Sequence, residues 1–253
     1  MNEILVRIDE KKKKLDLCKP LPKALEKNLG DWFRIALTYT SNAIEGNTLS
    51  HAETALVVNE GITVGGKSMV EHQEALNHAQ AIDYIQNLAL TKKRTELTLE
   101  DILAIHKNIL QKINPEYAGI LRTASVRIMG SQVPRPNYLK VSQLMGEFTA
   151  WLTTCSDHTV LLAAQAHLKL VFIHPFIDGN GRTARLLFNL LLLQEGYPLV
   201  IVEKEQRLDY INSIEKALLQ NNPDDFYMFM FRAVECSLDS YLEAIDQSDM
   251  GGE

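Results

Sequence analysis

The sequence predicts an all-α protein built as a helical bundle, and three observations carry that expectation. Only 13 glycines and 8 prolines occur in 253 residues, below the roughly 12% usual for globular chains, so turns are scarce and an all-β sandwich is not expected. Two runs, Val160 to Ile173 and Leu186 to Leu193, are apolar almost all round, as buried central helices are. Capping-box spacings also recur. Ser50 with Glu53 and Ser68 with Glu71 open helices near 51–60 and 69–90, and Thr98 ahead of Glu100 and Asp101 opens another to about Gln111.

Phe33, Leu37 and Ile44 share a face of a helix that begins after Asp31 and stops at Gly46 and Asn47. Between Tyr117 and Val141 the pattern changes. Val126 and Ile128 alternate around Arg127, and a Gly130-Ser131 turn follows, so a short β-hairpin is expected there; Leu199 to Val202 is the second β signal. The chain divides into an N-terminal helical extension over 1–30, a main domain over 31–245 and a flexible tail over 246–253.

With 46% hydrophobic and 23% charged residues the chain has enough apolar surface for a substantial core. A net charge of -6 argues against a nonspecific grip on nucleic acid and leaves room for a local anion pocket. Cys18, Cys155 and Cys236 are odd in number and form no CxxC pattern, so neither a disulfide framework nor structural zinc is indicated, and a reducing, cytoplasmic setting is expected. The N-terminus has no cleavable apolar stretch and no window reaches the ~20 apolar residues of a membrane span, so no membrane partner is expected. The Lys11 to Lys14 run lies between acidic residues and reads as a solvated helix face.

The chemistry concentrates between the two apolar runs, at His174-Pro175-Phe176-Ile177-Asp178-Gly179-Asn180-Gly181-Arg182-Thr183-Ala184-Arg185. Two glycines around an asparagine at a helix start let backbone amides face an anion. Arg182 and Arg185, three apart, share a helix side and suit bidentate contacts to phosphate oxygens. Asp178 is a single carboxylate beside that cradle, which suits magnesium held largely by substrate phosphates. His174 is placed to take a proton from an attacking hydroxyl, since an imidazole of ordinary pKa is largely neutral near pH 7.

HPFIDGNGRTAR resembles the signature HPFx(D/E)GNGRxxR of the Fic (Fido) family at every specified position, and the resemblance extends over about residues 32–240. It is strongest to the animal endoplasmic-reticulum branch, whose membrane anchor and tetratricopeptide repeats do not occur in this chain. The resemblance implies a helical bundle with a β-hairpin flap, and transfer of AMP from MgATP to a Ser, Thr or Tyr hydroxyl of a protein. It implies His174 as general base, Asp178 as the Mg2+ ligand and Gly179, Asn180 and Gly181 as the anion hole, with Thr183 and Ala184 in the same nucleotide-binding turn. Arg182 would hold the β-phosphate and Arg185 the γ-phosphate. The flap maps onto Arg127, Ile128, Met129 and Gly130, and Tyr210 onto a nucleotide-site position. Ile211 and Leu218 depart from the tyrosine and asparagine of the animal branch near the adenine. Members of the family often dimerise, so a homodimer is among the states the resemblance allows.

Ser41-Asn42-Ala43-Ile44-Glu45-Gly46 fits the family's inhibitory motif (S/T)xxxE(G/N), in which the glutamate pairs with the second signature arginine, here Arg185. A carboxylate there takes the γ-phosphate position and leaves ATP misaligned. Ser41, four residues before Glu45, is expected to steady that carboxylate. In the animal branch the same glutamate orients a water that removes AMP, so deAMPylation is the alternative activity. A third reading comes from Gly61-Ile62-Thr63-Val64-Gly65-Gly66-Lys67-Ser68, which satisfies GxxxxGKS, but no βαβ alternation surrounds it. A non-enzymatic regulator would show a damaged signature, and this one is intact. His51, His72, His78, His106, His158 and His167 have no mutual ligand spacing and are expected to be structural or exposed.

Overall fold

In a computed structural model of the chain, residues 1–128 and 130–250 are described. Ten α-helices account for most of them: α1 Asn2–Leu17, α2 Lys23–Ile44, α3 His51–Ala55, α4 Met69–Thr91, α5 Leu99–Leu110, α6 Val141–Thr154, α7 Thr159–Ile173, α8 Asn180–Leu193, α9 Arg207–Gln220 and α10 Asp224–Met250. The all-α expectation is met. Among the described residues no helix is long and apolar enough to cross a membrane.

The two apolar runs form the centre. Ala163, Ala164 and Ala166 on α7 are fully buried, and small side chains there let α8 approach closely, while Leu186, Leu187, Leu190 and Leu192 of α8 are fully buried in the same core. Each fully buried leucine contributes about 1.5–3 kcal/mol from desolvation, so this pair is the rigid base on which the loop between them is mounted. Helices α4 and α5 pack on α8 from the other side, and α10 covers α7.

Helix α2 runs antiparallel to α4. Arg34 donates through Nε and Nη2 to the Asp83 carboxylate at 2.6 and 2.7 Å, Asn42 Nδ2 donates to the Glu74 carbonyl at 3.3 Å, and Asn47 Nδ2 donates to the Glu71 carbonyl at 3.0 Å. Both capping boxes predicted at Ser50/Glu53 and Ser68/Glu71 are formed, and at Thr98 the Asp101 carboxylate accepts from the Thr98 amide at 2.7 Å and from its hydroxyl at 3.1 Å. The helix expected near 51–60 ends its α-helical part at Ala55 and continues as one π-helical turn over Leu56–Glu60.

Two expectations are corrected. No β-strand occurs among the described residues, so neither the hairpin nor a strand over Leu199 to Val202 forms. Around the Gly130 turn the amides bond to side chains instead of a facing strand. Gln132 N donates to Glu215 Oε1 at 2.6 Å and Val133 N to Ser131 Oγ at 3.2 Å, while Pro134 and Pro136 have no amide to offer. Val200 similarly satisfies its amide and carbonyl on the Asn189 carboxamide of α8, at 2.7 and 3.1 Å. The segment boundaries also shift. A cut after residue 30 falls inside α2, α1 lies along α10 with Arg7 paired to Glu235, and residues 246–250 belong to α10.

Candidate active site

Helix α7 ends at His174, whose backbone is left-handed at φ 49°, ψ 60°, a conformation that costs a non-glycine residue on the order of 1–2 kcal/mol. Arg122 holds it there. Its Nε donates to the His174 carbonyl at 2.7 Å, and its own amide donates to the Pro175 carbonyl at 2.8 Å. The same guanidinium donates to the carbonyls of Ala124 at 2.9 Å and Pro136 at 2.7 Å, tying both ends of the segment around Gly130 beside the histidine. Burial, then the nearby Arg135 and Arg122 charges, push the His174 imidazole down to about 4. It is therefore a neutral acceptor at pH 7.

The loop after His174 is closed by one side chain. Asn180 Oδ1 accepts from the Phe176 amide at 3.0 Å and its Nδ2 donates to the Phe176 carbonyl at 2.9 Å. His106 supports the loop from below. Its ring stacks on Phe176 with centroids 3.6 Å apart. Nδ1 accepts from the Gly119 amide at 2.9 Å, which places the proton on Nε2 and lets it donate to the Asp178 carbonyl at 2.9 Å. Gly179 caps α8 at φ 76° with no side-chain cap, so the first-turn amides stay available to an anion.

Both signature arginines are buried to 3% exposure. Arg185 donates through Nη2 to Glu45 Oε1 at 2.6 Å and to the Ser41 carbonyl at 2.9 Å, and through Nε to Ser41 Oγ at 2.9 Å. Ser41 thus holds the arginine and not, as expected, the glutamate. Burial by itself would raise the Glu45 carboxyl, but Arg185 and then Arg182 outweigh it and keep it below the usual carboxylate range. Gly46, at φ 106°, turns the chain directly after it, and Arg207 Nε donates to the Ile44 carbonyl at 2.6 Å to finish the helix. Arg182 donates through Nη1 to Glu74 Oε1 at 2.9 Å and through Nη2 to Asp178 Oδ2 at 3.3 Å.

The signature residues and Glu45 are thus brought together, but several expected members serve the fold. Thr183 and Ala184 are fully buried, and the Thr183 hydroxyl donates to the Gly179 carbonyl at 2.8 Å, so neither side chain reaches a ligand. Tyr210 is 1% exposed. Its hydroxyl lies 2.7 Å from His167 Nε2 and accepts weakly from Arg185 Nη1 at 3.5 Å, so it acts through Arg185. Arg127 and Gly130 are exposed and Ile128 half-buried, with the turn tied to α9 by Ser131 Oγ donating to Glu215 Oε2 at 2.8 Å; Met129 lies outside the described residues. Sequence reasoning missed Glu74, Arg122 and Arg207. The GxxxxGKS segment is a loop after a helical turn. Its Lys67 donates to the Thr48 carbonyl at 2.6 Å and its Ser68 caps α4, so it presents no phosphate loop.

Asp178 fits a magnesium ligand. Its Oδ1 accepts the Gly179 amide at 2.6 Å, while the side chain is 58% exposed, leaving a carboxylate edge open beside the cradle.

A buried pair of guanidiniums beside an uncapped helix N-terminus, with a neutral histidine at its mouth, makes a site suited to a polyanion. The Fic/DOC family model matches residues 96–192. Relatives named "Protein adenylyltransferase Fic" are 36% identical over 260 residues in Nematostella vectensis, covering 99% of this chain and 58% of that one, and 39% identical over 246 residues in Aedes aegypti, covering 95% and 48%. The chain thus spans about half the length of these relatives. The structure of residues 134–508 of Fic-1 from C. elegans superposes with a TM-score of 0.89 at 31% identity, over 98% of this chain and 73% of that one. A Fic domain containing signaling protein from Bacteroides thetaiotaomicron superposes at 0.85, with 26% identity, over 96% and 98%. The chain belongs to the Fic/DOC family.

Proposed function

We propose that the chain is an autoinhibited protein adenylyltransferase, transferring AMP from MgATP to a Ser, Thr or Tyr hydroxyl and releasing pyrophosphate. The observation that carries this reading is the Arg185 to Glu45 pair, at 2.6 Å inside the uncapped start of α8. A carboxylate occupies the place where the fold offers two guanidiniums and free amides to an anion.

In this reading His174 Nε2 accepts the target hydroxyl's proton as the oxygen bonds to the α-phosphorus. The bond from that phosphorus to the pyrophosphate oxygen breaks, and the phosphodiester remains on the target. The first-turn amides of α8 hold the phosphates, Arg182 the β-phosphate and, once Glu45 leaves it, Arg185 the γ-phosphate. Magnesium bound at Asp178 would neutralise charge on the leaving group. Glu45 blocks transfer by keeping Arg185 from the γ-phosphate, which costs alignment. Radiolabelled incorporation from α-labelled ATP tests this. Transfer should rise in Glu45→Gly and vanish in Glu45→Gly/His174→Ala, and equal incorporation by wild type and Glu45→Gly would overturn the inhibition.

One observation favours removal of AMP as a second activity. The Glu45 side chain keeps 37% exposure beside the cradle although Oε1 is bound to Arg185, so Oε2 is free to polarise a water. AMP release from a modified target by wild type, lost in Glu45→Gly, would support it.

A further inference from the structure

Arg182 touches two carboxylates of unlike character. Asp178 is 58% exposed and its contact is the longer, 3.3 Å. Glu74, on α4, is 19% exposed and lies at 2.9 Å. Both Glu74 oxygens are engaged, since Oε2 accepts from Asn47 Nδ2 at 2.9 Å. Asn47 lies two residues beyond Glu45, and its Nδ2 also donates to the Glu71 carbonyl at 3.0 Å. Asn42, inside the inhibitory motif, donates to the Glu74 carbonyl at 3.3 Å. The inhibitory segment therefore grips Glu74 through both its main chain and its side chain.

The charges make this arrangement consequential. Arg182 and Arg185 face Glu45, Glu74 and Asp178, and Arg207 adds its charge at Glu45, so the guanidiniums of the cradle are already matched by carboxylates before any ligand arrives. When Asp178 turns to a cation, Arg182, 3% exposed along its side chain, still needs a partner, because an unpaired buried charge is costly. Glu74 is the carboxylate that remains, held by a helix and an asparagine.

We infer that Glu74 is the positioning residue of Arg182, fixing its guanidinium for the β-phosphate, and that Asn47 links it to the inhibitory segment. The inference rests on the nucleotide reading above. Glu45 and Glu74 then differ in kind: the first must leave its arginine for turnover, and the second must stay.

Calorimetric binding of MgADP and of AMP to Glu45→Gly protein separates the possibilities, because only ADP carries the phosphate assigned to Arg182. Adding Glu74→Ala should weaken MgADP by about tenfold or more while leaving AMP within about twofold. Glu74→Gln, which keeps an oxygen to accept from Arg182, should retain MgADP binding within about threefold of the parent. Unchanged MgADP binding in Glu74→Ala overturns the inference alone, as does an equal loss of ADP and AMP, which would make Glu74 merely structural. A Glu45→Gly parent that binds neither nucleotide overturns the nucleotide reading and this inference with it.

Discussion

The Glu45 carboxylate lies over the Cα of Gly181, in the space a Cβ would need. A side chain at Gly181 would collide with Glu45 Oε1 and approach Arg185 Nη1 at 3.2 Å. The carboxylate proposed as inhibitory thus lies against the first turn of α8 itself. Replacing Glu45 by glycine is expected to raise AMP incorporation by on the order of tenfold or more, the scale of restoring a misaligned reactant. Gly181→Ala in that background should weaken MgATP by about tenfold, since a methyl enters the vacated cradle and crowds Arg185. Fluorescent-nucleotide titration reads the second effect free of any clash with Glu45.

The pH profile of transfer follows from His174. Its folded value is depressed to about 4 by burial and by Arg135 and Arg122, so the base form persists well below the ordinary imidazole range. In Glu45→Gly protein, kcat/KM is expected to be flat with respect to His174 from about pH 6 to 8 and to fall tenfold per unit below about pH 4. An inflection near pH 6.5 in the kcat/KM profile of Glu45→Gly protein would contradict this environment.

Arg122 joins the loop at His174 to the segment around Gly130 through the main-chain carbonyls of His174, Ala124 and Pro136. Hydrogen bonds to a charged group are worth about 1.5–3 kcal/mol each. Arg122→Met should lower transfer by at least about tenfold and speed proteolytic cleavage within 123–137, with the far-ultraviolet spectrum unchanged.

His106 and His167 are buried neutral, held at about 4 and about 3, mainly by burial. A histidine with a depressed folded pKa supplies stability above its unfolded value and loses it as pH falls. Denaturant stability should therefore drop between about pH 6.5 and 4, by on the order of 1–2 kcal/mol per histidine at pH 5. His106→Asn should flatten its share of that slope.

Much of this was legible in the sequence because it is local. The signature runs over twelve consecutive positions, and the capping boxes and the inhibitory motif are each contained in one short segment. Glu74, Arg122 and Arg207 were not, since their partners are 108, 52 and 163 positions away and each is an ordinary charged residue on its own element. The hairpin misled for another reason. Val126 and Ile128 have the alternation of a strand, but Glu215 and Ser131 take the amides that a strand would pair.

The Asn180 carboxamide, bonded to both polar groups of the Phe176 backbone, carries one more consequence. The loop is already ordered by its own sequence, so a nucleotide meets a surface whose conformational entropy was lost when the chain folded. On the autoinhibition proposed above, such a site is blocked by occupancy and not by disorder, and activation amounts to moving the Glu45 carboxylate off Arg185.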